Sequence, residues 1–344
     1  MNRYWSIFML SAVLGMYQLH TDSTESSVAE IDVDQMYLEE AILLLGGKAS
    51  KHSMLQADPE KAAIGQQLIT KGQAKRGLFK SKLISPYFNC TDCHNLVNEF
   101  QDARNNKPED RLEHAINKNL PFLPGSTLWG VYNRRAWYNG DYVKKYGDLV
   151  KEARSSLSAA VQVCAEYCSA GRKLTDWELD AIMHYFKAQE LKIKDLPIDG
   201  NSRKNLSKVN QLTEKEKAKL LHVLESSIVR AYPASFLETM PKEQRTYGKG
   251  ADEENGREIF NRACMHCHEN GRVSHLVLNR DVLTGRLLEK HLSDYSDFSL
   301  YQIVRHGTYS RPGRNQYMPL FTEEKMSNAQ LESLVAYIKS LAKI

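Results

Sequence analysis

The first hydrophobic feature of the chain is a largely apolar stretch at its start. Residues 4–17 form this 14-residue stretch; it follows Arg3 and is followed by polar, acidic sequence. A stretch of this length is too short to cross a bilayer comfortably as a permanent helix, so residues 1–21 are predicted to be a secretory signal peptide. Because no small-x-small cleavage triplet stands cleanly at its end, an uncleaved N-terminal anchor is the alternative.

Two shorter segments, residues 22–59 and residues 196–249, each contain a helical pattern of apolar residues. Residues 22–59 are predicted to be an N-terminal extension, whose Tyr37, Ala41, Ile42 and Leu45 share one apolar helical face. Residues 196–249 are predicted to be a linker, because Pro197 and Gly200 break the pattern at its start. A charged amphipathic helix is expected within the linker, over residues 213–232.

Two related helical regions are predicted on either side of this linker, at residues 60–195 and 250–344. Each closes with an amphipathic segment, at 175–186 in the first region and 331–341 in the second, and the two segments superpose without gaps. Almost no alternating β-strand pattern is present. The predicted fold class is therefore all-α.

Composition narrows the class of protein further. The 344 residues are 42% hydrophobic and 26% charged, which is ordinary for a soluble globular chain. The formal net charge of +4 is small for this length, and no long run of Lys or Arg is present. Nucleic-acid binding is therefore not predicted.

Two copies of one cysteine motif carry the chemistry. They are Cys90-Thr-Asp-Cys93-His94 and Cys264-Met-His-Cys267-His268. In such a motif two thiols attach a haem covalently and the adjoining histidine binds its iron. A zinc site or a redox dithiol is disfavoured, because neither requires a histidine after both pairs. The sequence thus predicts two covalently bound haem c groups, each wrapped by one cytochrome c-like helical domain. His94 and His268 are the predicted iron ligands.

Met318 is the predicted second iron ligand of the C-terminal haem. It lies 50 residues after His268, is followed by Pro319 and precedes the closing helix. This region resembles class I cytochromes c, in which a methionine loop holds that place. Met265 and Met326 are weaker candidates. A thioether ligand raises the haem potential, which suits electron transfer.

The first region offers cysteines at the corresponding place. Met318 lies 19 residues before Tyr337, whereas Cys168 and Cys164 lie 17 and 21 residues before Tyr185. Either thiolate could bind iron and lower the haem potential. A structural disulfide between the two cysteines is the alternative, because exported proteins often pair cysteines. Two further candidates, which the closing helix makes less favourable, are Met183 and His184.

Over residues 60–344 the chain resembles the dihaem thiosulfate dehydrogenases and sulfur-oxidation cytochromes. The resemblance implies His/Cys ligation at the first haem and an electron-exit haem at the second. The positions of Gly171 and Leu174 favour Cys164 over Cys168 in that register. The resemblance also implies a small anionic sulfur substrate such as thiosulfate, although Ser169-Ala-Gly171 departs from the family's Ser-Met-Asn-Gly.

Several basic residues have two interpretations each. Near the first haem they are substrate-binding cations, or surface charges and partners of the haem propionates: Arg134, Arg135, Arg172 and Lys173. Ahead of Met318 they form a basic collar that steers an acidic redox partner, or are again propionate partners: Arg305, Arg311 and Arg314.

Three functions fit these features. The first is an exported, periplasmic oxidoreductase resembling thiosulfate dehydrogenase, whose second haem passes electrons to a small redox protein or a respiratory complex. The second is a non-catalytic electron-transfer cytochrome, or the cytochrome subunit of a larger respiratory complex. A dihaem peroxidase is disfavoured, because no peroxidase-like calcium or distal-histidine signature is present. No catalytic residue is predicted, and membrane association is expected only through an uncleaved N-terminal segment.

Overall fold

The computed structural model describes residues 32–343 except 55, 103, 105, 106, 272, 296–298 and 309–317. The predicted signal peptide or anchor, residues 1–21, lies outside the described residues, as do Arg311 and Arg314. The described part is helix-rich, as predicted for an all-α protein. Its α-helices are α1 (Leu38–Leu44), α2 (Pro59–Lys71), α3 (Pro108–Asn117), α4 (Tyr142–Tyr146), α5 (Leu157–Val163), α6 (Asp176–Ala188), α7 (Gly200–Ser207), α8 (Glu214–Ser226), α9 (Glu253–Ile259), α10 (Met265–His268), α11 (Val282–Glu289), α12 (Leu300–His306) and α13 (Asn328–Leu341).

Shorter elements complete the secondary structure. Two π-helical segments are present: Cys164–Cys168 continues α5, and Phe260–Cys264 joins α9 to α10. A small antiparallel hairpin pairs β1 (Lys75–Arg76) with β2 (Phe79–Lys80). The 3₁₀ segments are Val33–Gln35, Cys90–Asp92, Val131–Asn133, Gly147–Val150, Ile193–Asp195, Val209–Gln211 and Lys242–Gln244. None of the helices in the described ranges combines the length and apolar character needed to span a membrane.

Helices α2 and α6 form the main helix pair of the first region. The N-cap of α6 is Thr175, which forms a capping box with Glu178. The two helices cross at Gly65, where a Cβ atom would lie 2.1 Å from the carbonyl oxygen of Ala181. Only glycine allows this close approach of the two backbones.

Helices α9 and α13 repeat that arrangement in the second region. A Cβ atom on Gly256 would lie 1.9 Å from the carbonyl oxygen of Ser333. Gly65 and Gly256 also approach equivalent atoms, the Cβ atoms of Tyr185 and Tyr337. The two closing helices therefore make equivalent close contacts at their crossing points.

The first region differs by an insertion. Cys264 follows Gly256 by 8 positions, whereas Cys90 follows Gly65 by 25 positions. The β1–β2 hairpin lies in this additional sequence. Its strands are only two residues long, so the sequence pattern did not indicate them.

The predicted extension and linker share one apolar core. Leu38 and Ile42 of α1 are buried with Leu206 of α7 and with Leu220 and Leu224 of α8. The expected linker helix is therefore present, although it ends at Ser226 rather than residue 232. These two segments, far apart in sequence, stabilise each other by burying apolar surface.

Candidate haem sites

The first cysteine motif begins in a tight turn that fixes its histidine. Cys90–Asp92 is a 3₁₀ segment, and the backbone N–H of His94 donates to the Cys90 carbonyl at 3.0 Å. The ring Nδ1 of His94 lies 2.6 Å from the carbonyl oxygen of Ser126. A carbonyl oxygen only accepts, so Nδ1 carries the proton and Nε2 keeps its lone pair for a metal.

The second cysteine motif orients its histidine in the same way. The Nδ1 of His268 lies 2.8 Å from the carbonyl oxygen of Leu276. The backbone N–H of Leu278 donates to the His268 carbonyl at 3.1 Å, which ties the following loop to the motif. A backbone partner that fixes ring orientation is typical of metal-binding histidines.

Gly125 makes room for the first imidazole. A Cβ atom at this position would lie 2.5 Å from the Nδ1 of His94. The Gly125 N–H donates to the carbonyl of Cys93 at 2.9 Å, so the backbone packs directly on the motif. The sequence alone gave no reason to select Gly125 or Ser126, because both contacts join segments about 30 positions apart.

Cys90 and Cys264 are partly buried against the apolar cores of the two regions. Burial raises the pKa of Cys90 to about 11 and the pKa of Cys264 to about 12. Both side chains nevertheless keep intermediate solvent exposure, as does Cys93. Nearby, the buried indole Nε1 of Trp137 has no acceptor among the described residues. A haem propionate is an acceptor of the required kind.

These residues fit a covalently attached haem c. The thiol spacing, the available histidine Nε2 atoms and the deep but accessible cysteines all agree with such a group. When bound, haem c supplies a one-electron redox centre whose potential depends on the second axial ligand.

Met318 packs, partly buried, against the apolar core of the second region. Its N–H donates to Thr308 Oγ1 at 2.6 Å, and the Thr308 N–H donates to its carbonyl at 2.9 Å. The side chain remains half-buried, whereas Met265 and Met326 are only 2% and 1% exposed within the core. The structure therefore leaves Met318 accessible and packs both weaker candidates away.

Cys164 and Cys168 lie together beside the first motif. All six cysteines fall within the described ranges and are free thiols. The Cys164–Cys168 hydrogen bond raises the pKa of Cys164 and lowers the pKa of Cys168. The hydroxyl groups of Tyr138, at 3.5 Å, and Tyr146 also hydrogen-bond to Cys168. Cys168 is therefore the thiol of this pair that ionises first.

The remaining candidates of the first region lie in other surroundings. Met183 belongs to α6 and is buried in the apolar core of the first region. His184 Nδ1 accepts from the Asp58 N–H at 3.0 Å, and its Nε2 lies 3.6 Å from Asp180. His184 thus joins the helix ends rather than the cysteine pair.

Three of the four predicted substrate-binding cations are bonded to protein oxygens. Arg172 pairs with Glu178 at 2.6 Å, and Arg135 pairs with Glu39 at 2.8 Å. Arg134 is buried and donates to the carbonyl of Thr127 at 2.5 Å. Lys173 alone of the four is exposed.

The structure brings Lys145 to the cysteine pair, which the sequence did not indicate. Its Nζ lies 5.6 Å from the ring centre of Tyr146 and 5.9 Å from that of Phe236. Burial lowers the pKa of Lys145, and a negative charge on Cys168 would oppose that shift.

The predicted basic collar ahead of Met318 is wrong for Arg305. This residue is buried, and its guanidinium donates to the carbonyl of Met326 and to Asn328 Oδ1, both at 2.8 Å. Arg305 lies on the inner face of α12, where it satisfies backbone oxygens just before α13. A charge pattern alone does not distinguish this role from solvent exposure.

The two motifs are neighbours in space. The Sγ of Cys267 lies 3.9 Å from the carbonyl oxygen of Asp92, inside the first motif. The Phe122 N–H donates to the carbonyl of Arg262 at 3.0 Å, and Phe122 is buried in the core of the second region. The segment that follows the first motif therefore packs directly on the second region.

A buried ionic cluster lies beside this contact. Glu99 pairs with Arg111 at 2.9 Å and with Lys325 at 3.3 Å, and it accepts from Asn95 Nδ2 at 2.7 Å. Burial alone would raise the pKa of Glu99, but Arg111 and Lys325 outweigh it and hold that pKa well below its usual range. Burial also lowers the pKa of Lys325 to about 8. Asn95 directly follows His94, so the cluster supports the first motif.

One comparison with known proteins found a match. Residues 251–338 match the family described as cytochrome c oxidase, cbb3-type, subunit III. No curated protein and no solved structure matched the chain. The matched segment contains the second cysteine motif and Met318. Residues 251–338 are thus similar to a c-type cytochrome domain, a class of domain that binds haem covalently and transfers electrons.

Proposed function

We propose that the protein is an exported, periplasmic cytochrome with two haem c groups. Electrons enter at the first motif and leave from the second to a small redox protein or a respiratory complex. The contact between Cys267 and the Asp92 carbonyl carries this proposal, because it joins the two attachment segments directly. Met318 is the proposed exit-side ligand, and its thioether favours the reduced state.

The first site is proposed to oxidise an inorganic sulfur compound such as thiosulfate. One thiol of the Cys164–Cys168 pair is the proposed iron ligand. The spacing to the closing helix and the family resemblance favour Cys164, whereas the two tyrosine hydroxyls on Cys168 favour that sulfur as the thiolate. Lys145 and Lys173 are the cations available for an anionic substrate.

The second candidate function is a relay without a substrate, either alone or as a subunit of a larger respiratory complex. The bonded state of Arg134, Arg135 and Arg172 favours it, because these cations are already satisfied by protein oxygens. The match of residues 251–338 to an oxidase subunit family also favours it.

The number of haems is tested by mass. The denatured wild-type protein is expected to carry the mass of two haems, and a Cys90→Ser/Cys93→Ser variant that of one. A Cys164→Ser/Cys168→Ser variant is the matched control and is expected to retain two. A single haem in the wild-type protein would refute the dihaem proposal.

Ligation and substrate are tested together. Electron paramagnetic resonance of the oxidised wild-type protein is expected to show a low-spin thiolate signal that is lost in either Cys164→Ala or Cys168→Ala. Ser169→Ala, on the same turn, should leave it unchanged. Thiosulfate turnover with an artificial acceptor that is lost with this signal supports the oxidoreductase. A protein without either property is the relay.

A further inference from the structure

The hairpin between α2 and the first motif presents two apolar side chains to solvent. At its tip Leu78 is 102% exposed and Phe79 is 82% exposed, the highest values among the large hydrophobic residues described. Leu83, just beyond β2, is exposed as well. Scattered exposed hydrophobic residues are normal, but two adjacent ones at a projecting tip expose far more apolar area than a typical surface position.

The hairpin is fixed to the protein at its base. The Ser81 N–H donates to the Ala74 carbonyl at 2.9 Å, and the Ala74 N–H donates to Ser81 Oγ at 3.0 Å. Ile84 is buried, and its N–H donates to the Gly72 carbonyl at 2.8 Å. Gly77 takes a φ of +58°, which suits the turn. The tip therefore projects from a bonded base.

Charge along the segment that contains the hairpin has a single sign. Residues 61–91 contain six basic residues and no acidic residue, although the whole chain has a net charge of only +4. Four of the six are exposed on the hairpin or next to it: Lys75, Arg76, Lys80 and Lys82. The cations thus flank the apolar tip on both strands.

We propose that this hairpin docks the protein on an anionic lipid bilayer. Leu78 and Phe79 enter the boundary between headgroups and acyl chains, while the flanking cations contact lipid phosphates. A projecting tip with cations on both sides suits a penetrable anionic surface, whereas a protein partner would need a pocket shaped for two adjacent apolar side chains. This docking differs from the N-terminal attachment expected from sequence and is independent of the proposed redox function.

Vesicle sedimentation of the haem-loaded protein tests the proposal. The wild-type protein is expected to bind vesicles containing phosphatidylglycerol more tightly than vesicles of phosphatidylcholine alone. Leu78→Ser/Phe79→Ser should weaken binding about tenfold, because two partly buried apolar side chains are lost. Lys80→Glu/Lys82→Glu should weaken binding to the anionic vesicles by about 25-fold or more, since each of the two lost cations contributes about fivefold.

Matched controls lie elsewhere on the surface. Leu283→Ser removes another exposed leucine, 70% exposed on α11, and Lys48→Glu reverses an exposed charge. Neither should change vesicle binding. The haem absorption spectrum of every variant should equal that of the wild-type protein, which excludes misfolding as the cause.

A second measurement is insensitive to any N-terminal attachment. Anionic vesicles should slow trypsin cleavage after Lys75, Arg76 and Lys80 at least threefold, while cleavage after Lys48 should keep its rate. Unchanged cleavage at the hairpin, together with equal vesicle binding of wild-type and hairpin variants, would overturn the proposal. Hairpin-dependent retention on an immobilised acidic protein without vesicle binding would also overturn it and indicate a protein partner.

Discussion

Replacing Glu99 by glutamine should destabilise the protein more than any surface charge change. Glu99 is the one acidic residue of the described cluster that also contains Arg111 and Lys325, and all three are buried. The substitution keeps the shape of the side chain but removes its charge. Two buried cations then lose their counter-charge.

The magnitude follows from the burial of the cluster. Removing one partner of a buried ion pair costs about 3–5 kcal/mol, because the other partner stays desolvated and uncompensated. Arg111 keeps its hydrogen bonds to the carbonyls of Leu123 and Lys325, which places the expected loss near the lower value, about 3 kcal/mol. For a chain of 344 residues that loss corresponds to a melting temperature lower by about 4 °C.

Thermal unfolding of the haem-loaded protein, followed by circular dichroism, measures the effect. Asp102→Asn is the matched control, because Asp102 lies three positions further along and pairs with Arg104 on the surface. An exposed pair of this kind is expected to contribute less than about 1 kcal/mol. Equal melting temperatures for the Glu99→Gln and Asp102→Asn proteins would refute the reasoning.

Two further predictions concern pH and helix crossing. The pKa of Glu99 is depressed in the folded protein. Its contribution to stability is therefore complete above its ordinary pKa of 4.5 and is lost as the pH falls through the lower pKa of the folded protein. The difference in unfolding free energy between the wild-type and Glu99→Gln proteins, measured with urea, should shrink below pH 4.5 and stay constant from there to neutrality. A difference that grows on acidification would contradict this sign. Separately, Gly256→Ala and Gly65→Ala should each lower the free energy of unfolding by about 2–3 kcal/mol in the same assay, because the new Cβ overlaps a carbonyl oxygen of the crossing helix. Gly200→Ala is the control and should be nearly neutral, because nothing lies within 4 Å of its Cβ position. Equal stability of the Gly256→Ala and Gly200→Ala proteins would show that the helices separate at no cost.

Local sequence signals predicted the elements whose stabilisation is local. The amphipathic period located α6 and α13. The spacing of Cys, Cys and His predicted both haem motifs, because that chemistry depends on a few adjacent residues. Met318 could be predicted as a ligand for the same reason, because its signals are the adjacent Pro319 and the spacing of 50 residues from His268.

Long-range contacts account for what the sequence did not indicate. The Ser126 carbonyl meets His94 across 32 positions, and Lys325 meets Glu99 across 226. Nothing near Arg305 in the sequence marks it as buried, because its partners, two backbone carbonyls and Asn328 Oδ1, lie 16 to 23 positions later. Such partners become visible only once the helices have packed.

The position of the ionic cluster links the interface to the first site. Its members are contributed by the segment after the first motif and by the loop before α13, so the cluster forms only when the two regions are packed together. Buried charges of this kind contribute little net stability compared with apolar residues, but they penalise every arrangement in which one partner is missing. Through Asn95, which follows His94, the same cluster is bonded to the first motif. A shift at the interface that separates the Cys267 sulfur from the Asp92 carbonyl would therefore also disturb the residues that support His94. The relative position of the two proposed haem sites and the orientation of the His94 ring are thus determined together.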